Sequence, residues 1–108
     1  MNQLQFDQVS VLKKANIYQS GNCLCVSHTV LFDDGTRKTL GIITAGSITF
    51  KTSSPERMEM ISGECRVTLP NATEPELFRA GQSFFIAGDA EFTLDAQETI
   101  QYVCHFEG

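Results

Sequence analysis

Three groups of residues in this chain have types and spacings that can do chemistry on a small polar molecule. Arg37 and Lys38 follow an Asp34-Gly35 turn, and Thr39 sets a hydroxyl beside them. Two cations and a hydroxyl at a strand start can hold a phosphate, the guanidinium offering paired N–H donors. The plainer alternative is a solvated charge pair at a hairpin tip. Lys51, Arg57, Arg66 and Arg79 are rival cations that periodicity does not rank. Glu56 and Glu59 flank Arg57. A carboxylate at a cavity mouth can accept from sugar hydroxyls or balance positive charge developing on a sugar ring. The competing reading is an ion pair with a nearby Arg or Lys. Phe50 and Phe92 form the third group. Turned inward, such rings can stack on a flat heterocycle, or they can simply be core.

The remaining reactive side chains argue for little. Cys23, Cys25, Cys65 and Cys104 lack the CxxC-type spacing of a zinc site, and only His28 and His105 could join them. Cys23 and Cys25 lie on one side of a strand, poor geometry for a local disulfide, so buried thiols are expected. His28 falls on an apolar strand face and reads as a core histidine with its nitrogens satisfied. His105 alternates with Tyr102, Cys104 and Phe106 and reads as facing outward. There is no Ser/His/Asp order, phosphate-binding Gly-Lys loop or dinucleotide fingerprint.

The elements that must position these groups are strands. From Gly46 to Leu69 the chain alternates apolar and polar residues, turns at Ser53-Ser54-Pro55, alternates through Arg57 to Ile61, and turns again at Ser62-Gly63. Consecutive short strands of this kind predict an antiparallel meander. Upstream, an extended piece covers Val9 to Tyr18, followed by a Ser20-Gly21-Asn22 turn and a strand from Cys23 to Phe32. Asp33-Asp34-Gly35 is the strongest hairpin signal, and the return strand runs from Arg37 to Thr44. Downstream, a proline-bearing loop from Pro70 to Pro75 precedes strands at Leu77-Phe78, Ser83 to Ile86, Ala90 to Leu94 and Ile100 to Phe106. No stretch reads as a helix longer than one turn. Strands recurring about every ten residues between glycine turns predict a sandwich or barrel, closure of which protects the edges.

At 108 residues the chain is one domain, and its 42% apolar content suits a folded globule. A net charge of −5 disfavours a nucleic-acid partner, which requires clustered cations. No apolar run reaches the about 18 residues of a membrane span, and the first residues carry no signal-peptide core. A cytoplasmic, non-membrane protein is expected. The N-terminal residues 1–20 read as an extension with a short edge strand, loose from Met1 to Gln8, and residues 21–108 as the body of the domain.

Glu56 stands seven residues before Gly63, the Glu-x6-Gly half of the first cupin signature, while Phe50 and Thr52 occupy the approximate places of its usual His-x-His pair. Gly81 opens GQSFFIAGDAEF, which resembles the second signature, with Ala87-Gly88 where Pro-Gly is common and Phe92 near the histidine position. The expected fold is therefore an all-β, single-domain, cupin-like β-barrel or jelly roll of antiparallel strands, without imidazoles to hold a metal. Together, RKTLG from Arg37, GSITFKT, PERMEMISGECRVTLP, GQSFFIAGDAEF and YVCHF resemble the small cupin-fold pyrimidine/purine nucleoside phosphorylases, over about Gly21 to Phe106. Ile48 stands where that family's pattern leads one to expect Tyr, a change that can alter a polar contact near the pocket. Ala87 stands where Pro is expected and loosens a turn.

The resemblance implies a metal-free, cofactor-free homodimer using inorganic phosphate as co-substrate. It would cleave purine and pyrimidine ribonucleosides to free base and α-D-ribose 1-phosphate. On that implication, Arg37 and Lys38 hold phosphate with Thr39 or Thr52 assisting, Glu56 and Glu59 serve the ribose, and Phe50 and Phe92 take the base. Three readings compete: a non-catalytic cupin sensing a sugar or nucleobase, a metal-dependent cupin using Glu56, Glu59 and His28, and a nucleoside hydrolase that needs no phosphate.

Overall fold

The structure, a computed structural model, describes residues 4–107. Met1 to Gln3 and Gly108, which belong to the expected N-terminal extension and domain body, lie outside the described residues. Among the described residues there are eleven strands and no helix. They are β1 (Ser10–Val11), β2 (Asn16–Ser20), β3 (Cys23–Leu31), β4 (Arg37–Ile43), β5 (Gly46–Lys51), β6 (Glu56–Ser62), β7 (Glu64–Thr68), β8 (Glu76–Arg79), β9 (Ser83–Ile86), β10 (Glu91–Ala96) and β11 (Ile100–Phe106).

Two antiparallel sheets face each other. The seven-stranded sheet runs β1-β3-β4-β11-β6-β9, with β2 also paired to β3, and the four-stranded sheet runs β5-β10-β7-β8. The central stretch departs from the meander expected of it. β5 and β7 both pair with β10, whereas β6 pairs with β11 and β9 in the opposite sheet. Alternation requires only that one face of each strand be buried, and crossing between sheets satisfies this as well as pairing with the next strand. Both predicted turns are consequently corners of a jelly roll. Gly63 makes one of them at φ 82°, where an added Cβ would come within 3.0 Å of the Thr99 carbonyl oxygen. The sheets do not join into one hydrogen-bonded ring, so the all-β, cupin-like domain is an open jelly roll instead of a closed barrel. The edge strands β8 and β9 have four residues each, which limits the unpaired backbone they present.

The core lies between the sheets, with Ile43, Met60, Ile86, Leu94, Ile100 and Val67 fully buried. Each such side chain contributes about 1.5–3 kcal/mol relative to exposure. On β3 the inward residues are Cys23, Cys25 and Ser27, while Leu24, Val26 and His28 belong to the outer side of the sheet. His28 is thus a half-buried surface residue whose Nδ1 lies 3.1 Å from the Leu12 carbonyl oxygen, and it is not part of the core. All four cysteines are free and buried. Ile48 is buried in the core and lies opposite Leu94 in register.

Candidate functional site

One end of the space between the sheets opens into a cavity of about 490 Å³. Its wall is assembled by cross-strand register. On β4, Arg37 and Thr39 point inward and lie opposite Leu31 and Thr29 of β3; Ser27 lies opposite Gly41. On β11, Tyr102, Cys104 and Phe106 share the inward parity, and β6 adds Glu56 and Met58. The four-stranded sheet supplies Phe50, Lys51 and Phe92, and β2 closes the side with Asn16 and Tyr18. Gly41 is required where it is: a Cβ there would come 2.3 Å from the Tyr102 ring, which lies across β4 at that point.

The aromatic wall is continuous. Phe50 meets Phe92 at 5.5 Å between centroids, Tyr18 meets Phe50 edge-on at 6.0 Å, and Phe84 supports Phe92 from behind at 6.0 Å. Opposite it lies a polar row. Asn16 Nδ2 donates to Ser27 Oγ and Thr29 Oγ1 at 3.3 Å each, and the Tyr102 hydroxyl contacts Cys25 Sγ at 3.2 Å. Burial pushes the Tyr102 phenol well above its ordinary range, so it remains a neutral hydroxyl.

The charges of the cavity are few and incompletely neutralised. The Arg37 guanidinium lies 4.0 Å above the Phe106 ring, and no ion pair among the described residues uses Arg37 or Lys51. Burial raises the Glu56 carboxyl above the usual carboxylate value, against the thiol of Cys104, which donates to Oε1 at 3.4 Å, and the charge of Arg37. Burial first, then the Glu56 charge, pushes the Cys104 thiol far up, so it is a donor and not a nucleophile. The cavity thus joins a guanidinium, a partly buried carboxyl, neutral hydroxyls and a flat apolar wall. A larger depression of about 840 Å³ sits at the other end of β5, near Gly46 and Ser47. It has no aromatic ring, and Glu64, Asp95 and Glu98 around its one Arg make it unfavourable to an anion.

Residues 13–106 match the family model described as pyrimidine/purine nucleoside phosphorylase. The chain belongs to the pyrimidine/purine nucleoside phosphorylase family. It is 56% identical over the whole of both chains to the protein of that name from Acinetobacter baylyi. It is 51% identical to the one from Nocardia farcinica, with 94% of this chain and 97% of that one covered. A crystal structure of a protein of unknown function from Acinetobacter sp. ADP1 superposes with a TM-score of 0.89 at 55% identity, covering 95% and 98% of the two chains.

In this member of the pyrimidine/purine nucleoside phosphorylase family, Arg37, Thr39, Glu56, Phe50 and Phe92 come together in the cavity. Lys38, Glu59 and Thr52 do not. Lys38 and Glu59 have the opposite parity on β4 and β6 and project from the outer face of the seven-stranded sheet, where both contact His105. His105 is on the outer face, as its alternation with Tyr102, Cys104 and Phe106 predicts, but is covered there to 8% exposure. Thr52 is buried beyond the end of β5, its hydroxyl donating to the Ala87 carbonyl oxygen at 2.7 Å and accepting from the Ala90 amide at 3.1 Å. That leaves it no free proton for a ligand. The rival cations also separate: Arg57 pairs with Glu107 and Arg79 with Glu64, whereas Lys51 joins Arg37 in the cavity.

Sequence reasoning missed Tyr102, Cys104, Phe106, Ser27, Thr29, Asn16 and Tyr18. The β11 trio shares a parity that was visible; once Phe106 is placed beside Arg37, the other two follow. Asn16 and Tyr18 carry no local signal, because β2 reaches the cavity through its pairing with β3 and its contact with Phe50 of β5. As to a metal, among the described residues no three His, Cys, Asp or Glu side chains gather where they could share one ion.

Proposed function

We propose that this protein is a phosphorylase that cleaves purine and pyrimidine ribonucleosides with inorganic phosphate, giving the free base and α-D-ribose 1-phosphate. The observation that supports this most is the meeting of Arg37, which pairs with no carboxylate among the described residues, half-buried Glu56 and the Tyr18-Phe50-Phe92 wall in one cavity of a chain of this family.

In this reading Arg37 holds phosphate with Thr39, and Lys51 adds charge at the rim. A phosphate oxygen forms the bond to C1′ as the C1′–N bond breaks, and the bonding pair leaves with the base. Positive charge grows on the ribose ring between these events, and ionised Glu56 stabilises it across a partly desolvated gap. The aromatic wall stacks the base. Stacking discriminates weakly between purines and pyrimidines, whereas edge-specific hydrogen bonds would reject one class strongly. The chemistry is positional and electrostatic, so the reading includes no metal or cofactor. It also carries forward a cytoplasmic homodimer, which sedimentation of the purified protein tests.

The deciding experiment is incubation with uridine and with adenosine, with and without phosphate, following base and ribose 1-phosphate. Phosphate-dependent formation of both products from both nucleosides is expected. Base release without phosphate would instead identify a hydrolase, and saturable binding without turnover a sensor.

A further inference from the structure

Directly behind the cavity, the seven-stranded sheet carries a second constellation. Lys38 Nζ lies 2.7 Å from His105 Nδ1, and His105 Nε2 lies 2.8 Å from Glu59 Oε1. An ammonium has only protons to give, so Nδ1 is the bare ring nitrogen, and Nε2 carries the proton donated to Glu59. The imidazole is therefore neutral, and the three side chains span the adjacent strands β4, β11 and β6.

The chain neighbours of this triad are cavity groups. Lys38 stands between Arg37 and Thr39. His105 stands between Cys104, whose thiol donates to Glu56, and Phe106, whose ring carries the Arg37 guanidinium. We infer that His105 is a positioning residue: within backbone ladders that already set the strand spacing, its neutral ring, bridging Lys38 and Glu59, fixes the outer face of the residues whose chain neighbours Arg37, Cys104 and Phe106 orient the ligand-facing groups. Its kinetic consequence rests on the phosphorolytic reading; its structural content does not.

Protonation undoes the arrangement. With a proton on Nδ1, a donor faces an ammonium at hydrogen-bond distance, and Lys38 must withdraw. The groups around the ring are Lys38 on β4, Glu59 and Arg57 on β6, and Glu107 beyond β11, which holds Arg57 at 3.1 Å. Ser83 of β9, in contact with Arg57, is neutral, as is Val30, which lies opposite Lys38 on β3. Burial holds His105 below the ordinary imidazole value of 6.5, with Lys38 and Arg57 acting the same way and Glu59 against.

The test pairs kinetics with NMR on the full chain. Phosphorolysis of uridine is measured against phosphate concentration for the unaltered protein and for His105→Gln, whose amide can accept from Lys38 and donate to Glu59 but does not titrate. Between about pH 7.5 and 5.5, kcat/KM for phosphate should fall about tenfold further in the unaltered protein than in the variant. Long-range 1H–15N spectra should show His105 as the Nε2–H tautomer, titrating below the ordinary imidazole value of 6.5. The carboxyl carbon of Glu56 should respond at the same midpoint. Acid limbs that coincide in the two proteins, or a charged His105 at neutral pH, would overturn the inference. If the unaltered protein makes no ribose 1-phosphate, the functional reading fails and the Glu56 resonance alone decides. A Glu56 signal that follows His105 then supports the inference, and one that ignores it sinks it. The same signal decides if His105→Gln fails to fold.

Discussion

The two faces of the β4-β11-β6 strand trio bear charged residues in almost equal number, yet they use them differently. On the inner face Arg37 has no carboxylate in ion-pair range among the described residues and rests on Phe106, while burial raises the Glu56 carboxyl above its usual value. On the outer face Lys38, His105 and Glu59 are joined at 2.7 and 2.8 Å, and Arg57 is paired with Glu107. The inner charges are left with interactions unmade, which is what a ligand of opposite or complementary charge can complete. The outer charges complete one another. A shift of one residue along a strand separates the two conditions.

Arg37→Ala breaks the inner side of this comparison most severely. Arg37 is exposed at the cavity mouth, and a charge-assisted contact there is worth about 1.5–3 kcal/mol, so kcat/KM for phosphate should fall about 10- to 100-fold, in initial rates measured against phosphate. An unchanged phosphate dependence would transfer the role to Lys51. Glu56→Gln comes next, with a fall of about 10- to 100-fold in kcat at neutral pH. The accompanying pH profile has a definite sign. In the proposed reaction ionised Glu56 is the working form; burial raises its carboxyl above the ordinary value, so its acid limb is expected above that of an ordinary carboxylate and Gln should remove it. A limb unmoved in Glu56→Gln places the titrating group elsewhere.

Gly41→Ala tests the scaffold beneath the inner face. The new Cβ would overlap the Tyr102 ring, so chemical denaturation should show a loss of about 1–3 kcal/mol. Undiminished stability would mean that the ring swings aside at little cost. For the outer face, the linkage runs through His105. Its folded value lies below 6.5, so the stability it contributes is complete above that pH and declines as pH falls from it towards the folded value. Melting temperature followed from neutral to mildly acid pH should decline less in His105→Gln than in the unaltered protein. The smallest effect belongs to Arg57→Ala. Both members of the Arg57–Glu107 pair are 40% exposed, and such pairs contribute about 0–1 kcal/mol. A larger loss would show that the outer face is one coupled network.

Much of this architecture is legible in the chain because strands and tight turns are local. The Ser83–Ile86 and Ile100–Phe106 strands follow from alternation, and the Asp34-Gly35 turn follows from glycine's tolerance of φ 87°. The cavity was legible only in part. Arg37, Thr39, Glu56, Phe50 and Phe92 were recognisable by type, but Lys38 and Glu59 have equally suitable chemistry and the wrong parity. Ser27 and Thr29 escaped notice because a polar residue facing a cavity and one facing solvent leave the same mark in an alternating pattern.

By itself, then, the sequence determined an all-β chain with its turns, its family, and the sorting of each strand into two sets of side chains. Only the tertiary structure decided which set meets the cavity and which strands become neighbours. Period two divides residues between faces without naming the faces. The naming comes from long-range pairings, β4 with β11 and β5 with β10, made by residues roughly half a chain apart.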